Sequence, residues 1–565
     1  MSRAKTTRST TFKSLWTFKF FCIGAVMQLS IISDAVNKYM ECTRTSTFYL
    51  ILDSISLLGL SLVLFYIFRK SRRGVSTTPP GPSGHLLVGN TYQIPHDKQW
   101  LKFDEWYREY GDIVQISVMG QPNVILSTVQ AANDLLDNKG NVYSDRPSAV
   151  MAGELVGWNR GLGYSPMNDR FKEFRRLFQH VIGPRPSQNS AILSLQERGA
   201  IQLLGRILDD PPNFATHARQ TSGAVLLKLL FDYDVKKEVA EDPLVIIVEK
   251  AMQGFSRASE PGAFLVDVVP VLKYVPEWIP GAKFKALARK MFEDRERLYN
   301  VPFDFVKKQM LQGSSSYSFT SACLEEKVKS TVEDEDFIKA AAASLYSGGA
   351  DTTPSSIDSF ILAMTLNPSV QARAQAEIDG LLAKTWNRLP TFSDRKHLPF
   401  INALILEILR WNPAVPLGLA HKLTQDDIYR NYYIRKGTIV WANIWTMLHD
   451  EKIFKEPYSF IPERYLDSEG KLKKLSKEED PILGFGFGRR VCPGMYFADN
   501  AIFIAVAMML YVFNITKAKD QNGVDIIPEV EYEGFICHPK PFQCTITPRS
   551  KEAEALIRRL LSASE

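Results

Sequence analysis

The sequence predicts a mainly α-helical protein with small β-sheets, built as one large domain behind an amino-terminal membrane anchor. Three observations carry that prediction. A 21-residue apolar stretch, Phe48 to Phe68, lies near the amino terminus; a single Pro/Gly-rich cluster, Thr77 to Gly84 (TTPPGPSG), follows it; and no comparable linker divides the rest of the 565-residue chain. With 45% hydrophobic and 23% charged residues, the composition suits a folded core and excludes disordered, collagenous and disulfide-scaffold chains. Lys and Arg total 68 against 62 Asp and Glu, a spread-out +6 that offers no basic domain to nucleic acid. Six cysteines (Cys22, Cys42, Cys323, Cys492, Cys537 and Cys544) form no CxxC pair, which argues against zinc ribbons and for a reducing compartment.

Residues 1–47 read as a leader and 48–68 as a transmembrane helix, since about 20 apolar residues cross a bilayer. Asp53 sits near one end, where a carboxylate reaches the interface. Arg69, Lys70, Arg72 and Arg73 follow at once, and such a basic flank stays on the cytoplasmic side, which places the body in the cytosol, on the endoplasmic reticulum. Upstream, the shorter apolar run Phe20 to Ile32 follows Arg3, Lys5, Arg8, Lys13 and Lys19. It reads as a first short span, as a cleaved signal, or as an artefact of a true start at Met40. Residues 69–84 form a basic, Pro/Gly-rich hinge, 85–550 the main domain and 551–565 a carboxy-terminal tail.

The most informative string is Gly484 to Gly494 (GFGFGRRVCPG), in which Phe485, Gly488, Arg490, Cys492 and Gly494 fit F-x-x-G-x-R-x-C-x-G. Five fixed positions match by chance on the order of 10⁻⁴ times in a chain of this length. Cys492 precedes an apolar helix, Met495 to Phe513, whose amino terminus favours a thiolate, a setting for a metal ligand. The other five cysteines read as small core residues. The string lacks the G-x-G-x-x-G spacing of a dinucleotide loop.

This string resembles the haem-binding loop of the cytochrome P-450 superfamily of haem-thiolate monooxygenases. The resemblance implies the cytochrome P-450 fold and a haem (iron protoporphyrin IX) whose axial metal ligand is the Cys492 thiolate, with Arg490 on a propionate and Phe485 beside the sulfur. A thiolate ligand favours O–O cleavage. Glu407 and Arg410 form E-x-x-R on one helix face; with Arg464 of FIPERY they resemble the family's structural Glu–Arg–Arg cluster. Residues 335–366 read as one long helix interrupted at Gly348 to Pro354, with a break between two shorter helices as the alternative, because two glycines and a proline cost about 1 and 3 kcal/mol in mid-helix. Pro354 cannot donate to the Ala350 carbonyl, so the helix is expected to kink or widen there. The interruption resembles the family's oxygen-binding groove, which implies that Gly349 lets haem and O₂ approach, Thr352 hydrogen-bonds the bound oxygen and Asp351 relays protons. Asp169 to Arg176 (DRFKEFRR) resembles a helix that usually reads W-x-x-x-R. Arg175 is carried over as a haem contact and Phe171, which lacks the indole N–H, is not. His421 matches a position of another propionate partner.

The resemblance covers residues 79–550 with the motifs in order. No flavin or nicotinamide motif is present, so electrons are expected from another protein; the resemblance implies an NADPH-dependent diflavin reductase, with a cytochrome b-type protein as an optional additional donor. Arg170, Lys172, Arg176, Arg489 and the run from Lys471 to Lys477 offer a basic face to it. The implied reaction is hydroxylation of an apolar small molecule with O₂ and two electrons. Its pocket is expected from parts of 143–165, 252–282 and 342–349, from Val415 to Leu419 and from Gly534 to Cys537. In style the chain resembles membrane-anchored fungal members of secondary metabolism, which points to a terpenoid or aromatic metabolite. Desaturation, rearrangement or multi-step oxidation is the alternative within the class, and a non-catalytic, membrane-tethered haem or lipid-binding protein the alternative outside it. Asn514-Ile515-Thr516 spells a glycosylation sequon that a cytosolic domain leaves unmodified.

Overall fold

The computed structural model describes residues 77–564 except 237–240, 261, 315, 327–330 and 384, and of the first 76 residues only Leu57 and Ser61. The chain divides into two units, Met1–Ser76 and Thr77–Glu565. The predicted spans at 20–32 and 48–68, with Cys22 and Cys42, lie outside the described residues.

The second unit is mainly helical, as the sequence predicts. Its principal helices are α1 (Gln99–Tyr110), α2 (Asp169–Ile182), α3 (Ser190–Asp209), α4 (Phe214–Phe231), α5 (Pro243–Ser259) and α6 (Lys283–Leu311), then α7 (Val332–Gly349), α8 (Thr352–Leu366), α9 (Pro368–Leu382), α10 (Pro399–Trp411), α11 (Met495–Val512) and α12 (Lys551–Ser564). A four-stranded sheet combines β1 (Ile113–Val118), β2 (Gln121–Leu126), β3 (His421–Lys422) and β6 (Ile439–Ala442) in the order β1-β2-β6-β3. Antiparallel pairs join β4 (Asp427–Tyr429) to β5 (Tyr432–Ile434), β7 (Phe513–Lys517) to β10 (Cys544–Pro548), and β8 (Tyr532–Glu533) to β9 (His538–Pro539).

Helix α11 sits in the middle of one core because it is apolar all round: Ile502 to Val512 is buried without interruption. Among the described residues it is the one helix long and apolar enough to cross a membrane, at a mean hydropathy of 1.7, and 67% of it is buried in the protein. It stops at Val512, and Phe513 begins β7 instead of ending the helix. A second core joins α2, α4, α5, α6 and α7.

Two boundary readings change. The described part of the hinge, residues 77–84, docks on the domain: the Gln115 N–H donates to the Pro80 carbonyl at 2.8 Å, and a Cβ on Gly81 would lie 2.1 Å from the Gln115 carbonyl oxygen. The segment read as a tail, 551–565, supplies α12, whose Ala553, Leu556 and Ile557 are buried in the first core. Their helical spacing makes one apolar face, which the sequence reading passed over.

Candidate active site

Local rules place α2 and α7. Asn168 caps α2, its side chain accepting from the Phe171 N–H at 2.9 Å, and Thr331 with Asp334 forms a capping box at the start of α7. The helices meet through Phe174 and Phe337, stacked with centroids 4.5 Å apart, and through Arg170 and Asp336 at 2.9 Å. Helix α2 therefore supports both the cysteine loop, through Arg175, and the helix that leads to the break.

The cysteine loop is closed by the Cys492 N–H donating to the Phe485 carbonyl at 2.7 Å. Gly488 has φ +53°, and a Cβ there would fall 2.2 Å from the Leu136 carbonyl oxygen, so glycine is required at this approach. Burial pushes the Cys492 thiol up, against the Gly494 N–H and the Arg175 guanidinium, which pull it down. Burial thus opposes the helix end here, and a cation bonded to the sulfur, such as a metal ion, would favour the thiolate.

Three half-buried arginines surround this loop. Arg175 Nη1 donates to the Val491 carbonyl. Arg490 donates from Nε to Ser144 O at 2.7 Å and from Nη2 to Ser165 O at 2.8 Å, with its guanidinium 3.8 Å from the Phe171 ring centre. Arg146 donates to the Leu419 and Ala420 carbonyls at 2.6 and 2.7 Å and to Gly163 O at 3.1 Å. Burial, then the like charge of Arg490, pulls Arg146 down to about 9. His421 is buried on β3 with Nδ1 donating to Tyr143 O at 2.8 Å; burial and the charge of Arg146 pull it down to about 3.

This donor set fits a haem. The guanidiniums are held by neutral carbonyls, Asp145 is the carboxylate that acts on both Arg146 and Arg490, and Arg490 Nη1 is buried without a protein partner. A ligand with two carboxylates would supply the missing anions and give arginine its preferred planar partner. The same anions would offset the charge of Arg146 that acts on His421.

At the second predicted centre the expected interrupted helix is two helices. Helix α7 ends at Gly349, Ala350 caps it with helical dihedrals (φ −68°, ψ −24°), Asp351 departs from them (φ −124°, ψ −27°), and α8 starts at Thr352. Pro354 then lies in a first turn, where its missing N–H costs little. The Thr352 hydroxyl donates to Gly348 O at 2.8 Å, and the Ser222 hydroxyl to Gly349 O at 3.0 Å. A Cβ on Gly348 would meet nothing within 4 Å, whereas one on Gly349 would meet Leu226 at 3.2 Å, so the open side of the break is at Gly348. Asp351 lies 3.2 Å from Arg219 Nε and 3.1 Å from His538 Nε2. Burial would raise its carboxyl, but His538 and Arg219 outweigh burial and hold it below the usual range.

The predicted Glu–Arg–Arg cluster is present. Arg410 pairs with Glu407 at 2.7 and 2.8 Å, and Arg464 Nε reaches both carboxylate oxygens at 3.2 and 3.1 Å. Arg410 also donates to Leu448 O and Pro457 O, which fixes the chain leading to the cysteine loop.

Sequence reasoning missed Arg146, Phe171 as a support for Arg490, and His538. Arg146 in SDRPSAV carries no signal beyond a charge beside a proline, and His538 stands 187 positions from Asp351 in sequence.

The profile of the family described as Cytochrome P450 matches residues 79–546. The chain is 45% identical over 522 residues to cytochrome P450 monooxygenase 208 of Postia placenta, covering 92% of this chain and 100% of that one. It is 41% identical over 510 residues (89% and 92%) to cytochrome P450 monooxygenase claR of Ampulloclitocybe clavipes. It is 36% identical over 505 residues (88% and 98%) to a tryptamine 4-monooxygenase of Psilocybe cyanescens.

Proposed function

The chain belongs to the cytochrome P450 family, and from that premise we propose that it hydroxylates an apolar small molecule, a fungal terpenoid or aromatic metabolite, with Cys492 as the haem ligand. The family is one of oxidoreductases that bind haem through a cysteine thiolate and use O₂ and a redox partner. The observation that carries the reading is the cluster of Arg146, Arg175 and Arg490 around the Cys492 loop, held by backbone carbonyls and with Arg490 Nη1 buried without a protein partner.

Bound haem supplies the oxygen activation. The chain supplies the rest: Cys492 ligates, the three arginines and His421 hold the carboxylates, and the break between α7 and α8 keeps side chains out of the reacting space. The Thr352 hydroxyl, bonded to Gly348 O, is a donor and acceptor that can reorient, and Asp351 is an ionised acceptor able to take solvent protons.

An apolar or aromatic substrate is supported by the pairs Trp158–Phe255 and Tyr164–Phe255, at 4.9 and 6.2 Å, which join two of the expected pocket segments. The relative named for tryptamine 4-oxidation accords with the aromatic branch. Membrane attachment through 48–68 is supported by Leu265, Val271, Tyr274 and Trp278, which expose 62, 64, 74 and 82% of their surface in one segment. For a diflavin reductase, Arg176 and Arg489 are exposed, while Arg170 and Lys172 are engaged with Asp336 and Asp169.

The test is incubation of microsomes carrying the full chain and a diflavin reductase with NADPH, ¹⁸O₂ and a panel of sesquiterpenes and indoles. A product heavier by one ¹⁸O is expected. Products that are only dehydrogenated, or that carry oxygen from water, would overturn hydroxylation.

A further inference from the structure

His538 is buried on β9 between the carboxylate of Asp351, at the break before α8, and that of Asp358 on α8. Its Nδ1 is hydrogen-bonded to Asp358 Oδ2 at 3.2 Å, and its Nε2 lies 3.1 Å from Asp351 Oδ1, off the N–H axis. The β8–β9 hairpin is fixed in that position. The Ser355 hydroxyl and, at 3.4 Å, Asn412 Nδ2 donate to the Cys537 carbonyl, and the Cys537 N–H donates to the Ala414 carbonyl at 2.8 Å. Asp358 is 3% exposed, and its Oδ1 is buried without a protein partner.

A neutral imidazole has one N–H and one lone pair, so it can serve one of two facing carboxylates and must repel the other. An imidazolium donates to Asp358 and attracts Asp351 by its charge across 3.1 Å. We propose that protonated His538, anchored by Asp358, is the positioning residue that holds the Asp351 carboxylate at the break between α7 and α8 and so sets proton delivery there. The inference rests on the monooxygenase reading and deepens it.

The charges around the ring agree. Burial pulls His538 down, but Asp351 and Asp358 reverse this and leave it above the ordinary histidine value. From α4, Arg219 faces Asp351 and shares its charge. On the hairpin, Glu533 is the exposed cross-strand neighbour of His538, and burial keeps the Tyr532 hydroxyl protonated. With Arg219 and His538 on one carboxylate, Asp351 has two cationic tethers; loss of the His538 charge leaves it one and turns a lone pair toward one of the two acids.

The test combines two readouts on the full chain in detergent. The first is the ring titration of His538 by histidine-selective isotope labelling and NMR, assigned by the signal lost in His538→Gln. Its midpoint is expected above 6.5 in the wild type and lower by about 1 unit or more in Asp358→Asn. The second is hydrogen peroxide released per NADPH consumed, with reductase, across the pH range. The wild type should release more peroxide as pH rises through the His538 midpoint; His538→Gln should show high release without that rise, and Asp358→Asn a rise displaced to lower pH. A His538 midpoint at or below 6.5, or a His538→Gln profile that keeps the wild-type rise, overturns the proposal. The carbon-monoxide spectrum separates the two readings. A thiolate band in all three proteins with a wrong pH profile sinks only the His538 role, whereas its absence from the wild type sinks the monooxygenase reading itself.

Discussion

Replacing Glu407 by alanine is expected to be among the most destabilising single changes outside the cysteine loop. The carboxylate is wholly buried and receives Arg410 at 2.7 and 2.8 Å, Arg464 at 3.1 and 3.2 Å and the Ile461 N–H at 2.8 Å. Its removal strands a fully buried guanidinium and a second that is 10% exposed. Breaking a buried pair from one side costs about 3–5 kcal/mol, most of it the unpaired charge left behind. A domain of several hundred residues unfolds with an entropy on the order of 1 kcal/mol/K, so that cost lowers Tm by about 3–5 °C. Arg464→Ala removes longer contacts from a side chain that reaches solvent, at about 1–2 kcal/mol. The assay is loss of the reduced, carbon-monoxide-bound thiolate band on heating, run at one fixed scan rate because unfolding of large haem proteins is commonly irreversible. Glu407→Ala within 1 °C of wild type, or less damaging than Arg464→Ala, would refute the reasoning.

Three further outcomes are expected. Gly488→Ala, whose Cβ would lie 2.2 Å from the Leu136 carbonyl oxygen at a φ of +53°, should lower haem bound per chain; an unchanged ratio in the purified protein would contradict the packing argument. Thr352→Ala should retain the thiolate band while raising peroxide per NADPH, because the hydroxyl bonded to Gly348 O is lost without touching the cysteine loop. Asp267, which accepts the Met151 N–H at 2.8 Å, is pushed up to about 6 by burial, so the folded chain holds its proton more tightly than the unfolded chain does. Stability should therefore fall as pH rises from about 4 to about 6 and stay lower above. Asp267→Asn should flatten that slope in urea midpoints measured across the window.

What was legible in the sequence is what local chemistry dictates. The cysteine loop, the E-x-x-R turn at Glu407 and Arg410, and the clash of Gly348, Gly349 and Pro354 with helical geometry each lie within a few residues. Each could be read before any contact was known. The single predicted helix became two because Pro354 is better tolerated in a new first turn than in a helix interior. The terminal helix at 551–564 went unread although Ala553, Leu556 and Ile557 carry helical spacing. Arg146, Phe171 and His538 were not legible for a different reason: their roles arise from contacts with Leu419, Arg490 and Asp351, which are 273, 319 and 187 positions away. Arginines held by backbone carbonyls leave no paired acid in the sequence to mark them.

The measurement closest to the central claim is the reduced, carbon-monoxide difference spectrum of the full chain in microsomes beside that of Cys492→Ala. A thiolate-shifted band is expected in the first and none in the second. A folded wild-type chain without haem signal, or a Cys492→Ala chain that keeps the thiolate band, would contradict that claim.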